Sequence, residues 1–506
     1  MLIVAAAVAR FYSISAESFW VDEIFTLETS AGNGLAPNRL PTGVWLDPAP
    51  TFTDLATSGG GVRGIFQHAR EDTQGPVYYL MLNLWRHMLG SSELAVRSLS
   101  AICSLITVAM IGVAAHALAT RRDVALLATS LAAVSGPQIV FAQEARPYAM
   151  VLLLVLVVTI VLLRIERHGF TLARGAAVAT LLVLMMLTHY TAAAPATACF
   201  TYALVRLRGR ERLQTASCFV AAGVVFLALW GPTLLAQRAA THGYLDYLHD
   251  DAPGLIPRTL DRALCQPLSM LITTPPYSTP SPAWRWVARA AGVALVLFPA
   301  VLIVRRKQPA ILLPFLMMLF PIAQTTISDI VLQRQALELT RFSFLASAGA
   351  VMTAAMLIAA APARWVPLLG GASVLAMLVL LMLPGAYDRQ KPDTRSLAAA
   401  LYARAQPGEV LLGYRDASQP WTIDALTAGI THYAGRWRGP VLVLESAPDD
   451  GLRRRLGSCP GVWLLSPTRT FPADLLPAGW SIDVTTAMQL PNMGTAARVV
   501  VPNEAR

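Results

Sequence analysis

The chain has 506 residues, of which 55% are hydrophobic and 14% charged, and its mean hydropathy is +0.52. It is too apolar for a soluble protein of this size and too long for one small domain. Nearly all the basic residues behind the net charge of +10 are arginines, and many of them cluster in short connectors, a placement that sets membrane topology and argues against a nucleic-acid partner.

Uncharged runs such as Met150–Leu163, Gly292–Val304 and Val366–Leu383 approach the length needed to cross about 30 Å of hydrocarbon. Apolar runs and basic connectors together predict about eleven spanning helices. They fall near 1–14, 94–118, 124–141, 147–165, 174–192, 193–206, 216–238, 286–304, 309–328, 341–361 and 364–384. With a cytoplasmic N-terminus, the connectors Arg121-Arg122, Arg164–Arg174, Arg206–Arg212 and Arg305-Arg306-Lys307 all lie inside. The first segment is short and lacks a basic flank. It has neither the basic n-region nor the small-residue cleavage site of a signal peptide. The expected fold is an α-helical polytopic membrane module over 1–384 with outer loops at 15–93 and 239–285. Within the first loop, Pro76–Leu89 reads as an aromatic-rich amphipathic segment lying in the interface. A small outer α/β domain is expected over 385–506, because helix-like Thr394–Ala405 alternates with short apolar runs at Glu409–Leu412, Val441–Leu444 and Val462–Leu465. Tyr414, Arg415, His432 and Tyr433 in that domain read as ordinary solvated polar residues. The five cysteines show no metal-ligand spacing; Cys265 and Cys459 would both face outside, where a disulfide could form.

Four constellations share the outer face in this topology: Asp22-Glu23; Gln143-Glu144-Ala145-Arg146-Pro147-Tyr148; His189-Tyr190; and Arg334 with Arg341 bracketing Glu338. Taken singly, each has a bland explanation, because interfacial arginines snorkel to headgroups and a histidine at a helix end more often caps or packs than reacts. Their convergence on one leaflet suits glycosyl transfer from a sugar carried on a polyprenyl phosphate. Apolar helices would hold the lipid tail, and arginine forks would hold the phosphate and stabilise it as it leaves. A carboxylate would take the proton from the acceptor hydroxyl. Asp22 is the expected base, with Glu23 orienting the acceptor or helping to bind a divalent metal if one is used.

These residues carry a resemblance. Phe19-Trp20-Val21-Asp22-Glu23, Asp72-Thr73-Gln74-Gly75-Pro76-Val77-Tyr78-Tyr79, Phe141–Tyr148, Thr188-His189-Tyr190 and Lys391-Pro392-Asp393-Thr394-Arg395 are together similar to the GT-C superfamily of integral-membrane glycosyltransferases. The nearest group is glycosyltransferase family 39, with its protein O-mannosyltransferases and lipid A aminoarabinose transferase. The resemblance covers roughly residues 10–400. It implies a GT-C fold in a bacterial inner membrane and inverting transfer at the periplasmic face, with Asp22 as base and Glu23 beside it. It also implies donor contacts from Glu144, Arg146, Tyr148, His189, Tyr190 and Arg341, and acceptor or loop roles for Asp72 and Tyr78. The acceptor would be a glycan, lipid or protein. The chain departs from its relatives where many read Asp-x-His-Pro-Pro-Leu-Tyr and this one has Asp72-Thr73-Gln74-Gly75-Pro76-Val77-Tyr78, which removes a histidine able to touch metal or sugar and leaves metal dependence open.

Two other classes remain. A transporter or flippase of a lipid-linked glycan would use the same arginines on headgroups, but it calls for polar residues at mid-membrane and for symmetric broken helices. A receptor or assembly module anchored by the membrane part would not require so many spans.

Overall fold

The structure is a computed structural model that describes residues 1–34, 40–50, 59–240, 248–272, 282–305, 308–382, 393–415, 422–433, 437–466, 476–477, 479–489 and 495–501. Of the motifs above, Lys391-Pro392 and Arg306-Lys307 lie outside the described residues, as do parts of both outer loops.

After α1 (Leu2–Phe11) come α2 (Val21–Ala31), α3 (Gly61–Gln67) and α4 (Val77–Leu89). The apolar helices then follow as α5 (Glu93–Ala119), α6 (Arg122–Ala133), α7 (Gly136–Ala142), α8 (Tyr148–His168), α9 (Leu172–Thr188), α10 (Ala193–Arg206) and α11 (Gly209–Ala240). Helix α12 (Leu255–Ser269) precedes α13 (Pro282–Val304), α14 (Leu312–Leu332), α15 (Ser347–Ala359) and α16 (Val366–Met382). Each of the eleven expected segments is helical. Among the described residues, five helices (α5, α8, α11, α13 and α14) are long and apolar enough to cross a membrane, and α6 with α7 makes a sixth crossing bent by 56°. Helices α1, α9 and α16 are apolar but shorter, as is the apolar stretch ending in α15, so the expected count of eleven rests partly on helices less than a full span long.

The bend between α6 and α7 has a chemical cause. Pro137 in the first turn of α7 has no N–H with which to continue the ladder. The carbonyls freed at the end of α6 are taken by Arg10, which is fully buried on α1: it donates to Ala132 O and Ala133 O at 3.1 Å each and to Ser104 Oγ at 2.8 Å. A cation at a helix C-terminus complements the dipole, which accounts for a charge inside an otherwise apolar helix. The main core joins α5, α8, α14 and α15. At Gly349 the last two pack so closely that a Cβ would overlap the backbone nitrogen of Met318, the small-residue packing that membrane helices use. The α4 helix is amphipathic as expected, burying Tyr78, Tyr79, Leu82 and Asn83 and exposing Met81, Leu84, Met88 and Leu89.

The C-terminal part contains α17 (Thr394–Arg404), β1 (Val410–Tyr414), α18 (Thr422–Tyr433), β2 (Val441–Leu444), α19 (Asp450–Gly457), β3 (Val462–Ser466), β4 (Ser481–Gln489) and β5 (Thr495–Val500). Asp393 and Asp449 cap α17 and α19 through the N–H groups of Ser396 and Leu452. The sheet order is β2-β1-β3-β5-β4, parallel across β2-β1-β3 and antiparallel beyond. The three parallel strands are buried along their whole length, as helix-covered parallel strands must be. Two expectations need correcting. Cys265 and Cys459 form no disulfide, since all five cysteines are free. Tyr414 is buried, the Arg415 side chain is only 7% exposed and paired with Asp424, and His432 and Tyr433 are half-buried, with the Tyr433 hydroxyl bonded to Phe19 N and Glu93, so none of the four is an ordinary solvated residue.

Candidate active site

The local fold explains the different fates of two neighbouring carboxylates. Trp20, in extended backbone, precedes α2, and Asp22 and Glu23 occupy its first turn, where the helix dipole favours anions. Successive helical residues project about 100° apart, so the two carboxylates cannot face the same way. Glu23 points inward and is fully buried. It forms a two-pronged pair with Arg97 of α5, with Nε–Oε1 at 2.8 Å and Nη2–Oε2 at 2.7 Å. It also accepts the N–H of Ala145 at 2.9 Å. Arg97 spends its remaining donors on the carbonyls of Ile14, Glu17 and Ser18. Glu23 thus fastens α2, α5 and the 143–146 turn together.

Asp22 faces the other way, toward Arg341 Nη1 at 2.8 Å and Arg146 Nη2 at 3.6 Å. Its side chain is 14% exposed and those of Arg341 and Arg146 are 19% and 10% exposed, so the trio is largely dry yet can be reached. Arg146 is aimed by hydrogen bonds to Asp22 O (3.1 Å) and Thr26 Oγ1 (2.9 Å), and its guanidinium lies 5.7 Å from the Tyr148 ring centre. Arg341 lies between Trp20 and Phe342, at 5.7 and 5.4 Å. Such aromatic walls hold guanidiniums without neutralising them.

The other expected residues surround this trio. The Tyr148 ring packs on His189 at 5.3 Å. His189 Nδ1 accepts the N–H of Thr191 at 3.2 Å, which leaves Nε2 to carry the proton in the neutral ring. Glu144 is buried in the turn, where its carbonyl accepts the N–H of Arg146 at 2.8 Å. Tyr78 stands behind the site: its hydroxyl meets Ser100 Oγ at 3.0 Å, and Ser100 donates to the carbonyl of Arg146 at 3.1 Å. Asp72 Oδ1 accepts from Thr73 N (2.5 Å), Gln74 N (3.2 Å) and Tyr79 Oη (3.1 Å), holding the turn that leads into α4. Burial pushes its pKa up, against the pull of these bonds and of Arg146. Tyr190 donates to Gln237 Oε1 (2.5 Å), and Gln237 donates to Gln74 O (3.0 Å), so it pins that turn to α11. Of the fourth constellation only Arg341 reaches the site. Arg334 pairs along the backbone with His249, and Glu338 is bound by Arg262.

The residues missed by the sequence reading are Arg97, Thr26 and Trp20 as an arginine wall. A charge inside the apolar run of α5 was a usable signal for Arg97, and Thr26 lies one helical turn after Asp22. Among the described residues, no three His, Cys, Asp or Glu side chains gather as metal ligands. Asp22 already faces two guanidiniums, so the described residues by themselves do not assemble a divalent metal centre.

Residues 73–235 match the family model described as dolichyl-phosphate-mannose-protein mannosyltransferase. The family expected from the sequence is the one that matches. The matched stretch holds Arg97, Arg146 and His189, whereas Asp22 and Arg341 lie outside it. No curated protein matches the chain. Among solved structures, the chain is similar to ArnT from Cupriavidus metallidurans in the apo state. Identity is 14%, coverage is 98% of this chain and 97% of that one, and the TM-score is 0.44. The same protein bound to undecaprenyl phosphate gives 14% identity, the same coverage and a TM-score of 0.45. The oligosaccharyltransferase of Archaeoglobus fulgidus in complex with Zn and sulfate is 12% identical over 85% of this chain and 61% of that one, with a TM-score of 0.43.

Proposed function

We propose that the protein is an inverting glycosyltransferase that moves a sugar from a polyprenyl-phosphate donor to an acceptor hydroxyl at the outer, periplasmic face of a bacterial inner membrane. The observation that carries this reading is the sharing of Asp22 between Arg341 and Arg146 at one surface of an apolar helical module. The family match supports it, because the family's description names a sugar carried on dolichyl phosphate.

In the proposed step the acceptor oxygen attacks the anomeric carbon. The bond from that carbon to the phosphate oxygen breaks, and the polyprenyl phosphate leaves with the electron pair. Asp22 accepts the acceptor proton. Asp22 and a donor phosphate are both anions drawn to the same guanidiniums, so donor binding would loosen the grip of Arg341 and Arg146 on the carboxylate. The same two arginines would then stabilise the charge that builds on the leaving phosphate. Tyr148 and His189 would wall the donor sugar, and Glu144 would lie beneath them.

The test is transfer of radiolabelled sugar from a polyprenyl-phosphate donor in membranes containing the protein. Asp22→Asn is expected to abolish transfer, and full activity in that variant would overturn the mechanism. Arg341→Lys and Arg146→Lys are each expected to lower turnover about a hundredfold, since an ammonium keeps the charge but loses the paired fork. Liposomes in which the protein flips the lipid-linked sugar without transferring it would favour a flippase instead.

A further inference from the structure

The helix bearing Asp22 has only 11 residues, too few to hold its own position in isolation, and the C-terminal part of the chain bonds to the segment that leads into it. On the N-terminal side, Phe19 N donates to Tyr433 Oη at 2.7 Å, and Tyr433 Oη donates to Glu93 Oε1 at 2.9 Å. Arg395 Nη2 donates to the same Glu93 oxygen at 2.6 Å and to Ser15 O at 3.2 Å, and its guanidinium lies over the Tyr433 ring at 5.1 Å. Thr394 N donates to Ser18 Oγ at 3.1 Å.

On the C-terminal side, the first outer loop joins the edge of the sheet. Leu46 and Val441 exchange both backbone hydrogen bonds, at 3.0 and 2.9 Å, and Gly43 N donates to Val443 O at 2.8 Å. Arg415 donates to Leu40 O at 2.6 Å while paired with Asp424. Ile24 of α2 packs with Ala425 and Ala428 of α18.

Phe19 stands immediately before Trp20, where α2 begins, and three residues before Asp22. A hydrogen bond at its N–H therefore fixes where the helix starts and so where the Asp22 carboxylate points. We infer that Tyr433, held by Glu93 and Arg395, is a positioning residue for Asp22, so that the C-terminal domain completes the active site by orienting the base rather than by touching substrate. The inference rests on the reading of Asp22 as the base.

The test compares full-length wild type with Tyr433→Phe and the milder Glu93→Gln, using hydrogen exchange by mass spectrometry alongside the transfer assay. In Tyr433→Phe, exchange over residues 18–24 is expected to rise several-fold while the strand peptides 410–414 and 462–466 stay as protected as in wild type. The kcat is expected to fall about tenfold, the worth of one hydrogen bond expressed fully in the transition state, with donor KM unchanged. Glu93→Gln should move both readouts in the same direction by less. Unchanged exchange at 18–24 would overturn the inference. So would a rise spread evenly over the C-terminal domain, or a loss carried by donor KM. If exchange at 18–24 responds but wild type transfers no sugar, the proposed reaction fails and the positioning of this segment stands.

Discussion

Asp22 and Glu23 are adjacent in sequence and opposite in role, and the difference lies in what each meets. Glu23 meets a guanidinium that is itself fully buried and spends its remaining donors on backbone carbonyls. Removing one member of such a pair leaves an uncompensated buried charge, at a cost of about 3–5 kcal/mol. Glu23→Gln and Arg97→Met are therefore each expected to lower the thermal midpoint of the detergent-solubilised protein sharply, whereas the double variant should regain part of the loss. Asp22→Asn should leave the midpoint close to wild type and remove turnover. Thermal unfolding followed by size-exclusion fluorescence would check both, and a stability loss in Asp22→Asn equal to that of Glu23→Gln would refute the division of roles. The carboxylate pair could be read from sequence as too costly to be filler. Which member reacts could not, because that depends on the phase of α2 relative to α5, and the phase is set by Arg97 some 74 positions away.

At the scale of elements, hydropathy makes the helices legible because each must bury or face lipid with a nearly unbroken apolar surface. It says less about breaks. The run 124–141 reads as one span, yet Pro137 and the buried Arg10 divide it into α6 and α7. Strand positions in the C-terminal part were legible as short apolar runs, but the pairing of Leu46 with Val441 joins segments almost 400 residues apart and leaves no local trace. The contact between α2 and α18 holds a further titratable group. Burial and then the nearby Asp424 push Glu28 from 4.5 up to about 8. Between those values the folded state keeps a proton that the unfolded chain gives up. Stability from this group is therefore fully present below about pH 4.5 and is lost as the pH rises toward 8. Glu28→Gln removes the dependence, so its thermal midpoint should exceed that of wild type by a margin that grows from about pH 5 to pH 8. A margin that is constant with pH would show that Glu28 carries no such shift.

At the scale of the whole molecule, composition points to a membrane bundle, and the arginine-rich connectors predict which loops share a side. Neither says that the outer pieces form one body. In the structure the first outer loop, the 143–146 turn and the C-terminal sheet interlock around α2, and the union is made by scattered single contacts: Tyr433 to Phe19, Arg395 to Glu93, Arg415 to Leu40. If this frame is static, fastening it covalently should do no harm. Leu46 and Val441 form a mutually hydrogen-bonded antiparallel pair, whose Cα atoms lie about 5.5 Å apart, within the span a disulfide bridges. With the proposed periplasmic placement, an oxidising compartment, the double variant Leu46→Cys/Val441→Cys is expected to close a disulfide detectable as a cross-linked peptide by mass spectrometry. Its transfer activity should stay within about twofold of wild type with and without reductant, because α2 needs its supports in place throughout the reaction rather than released to admit a donor. Activity that collapses on oxidation and returns on reduction would show the opposite, that the loop must leave the sheet edge for each turnover, and the C-terminal domain would then be a gate rather than a frame.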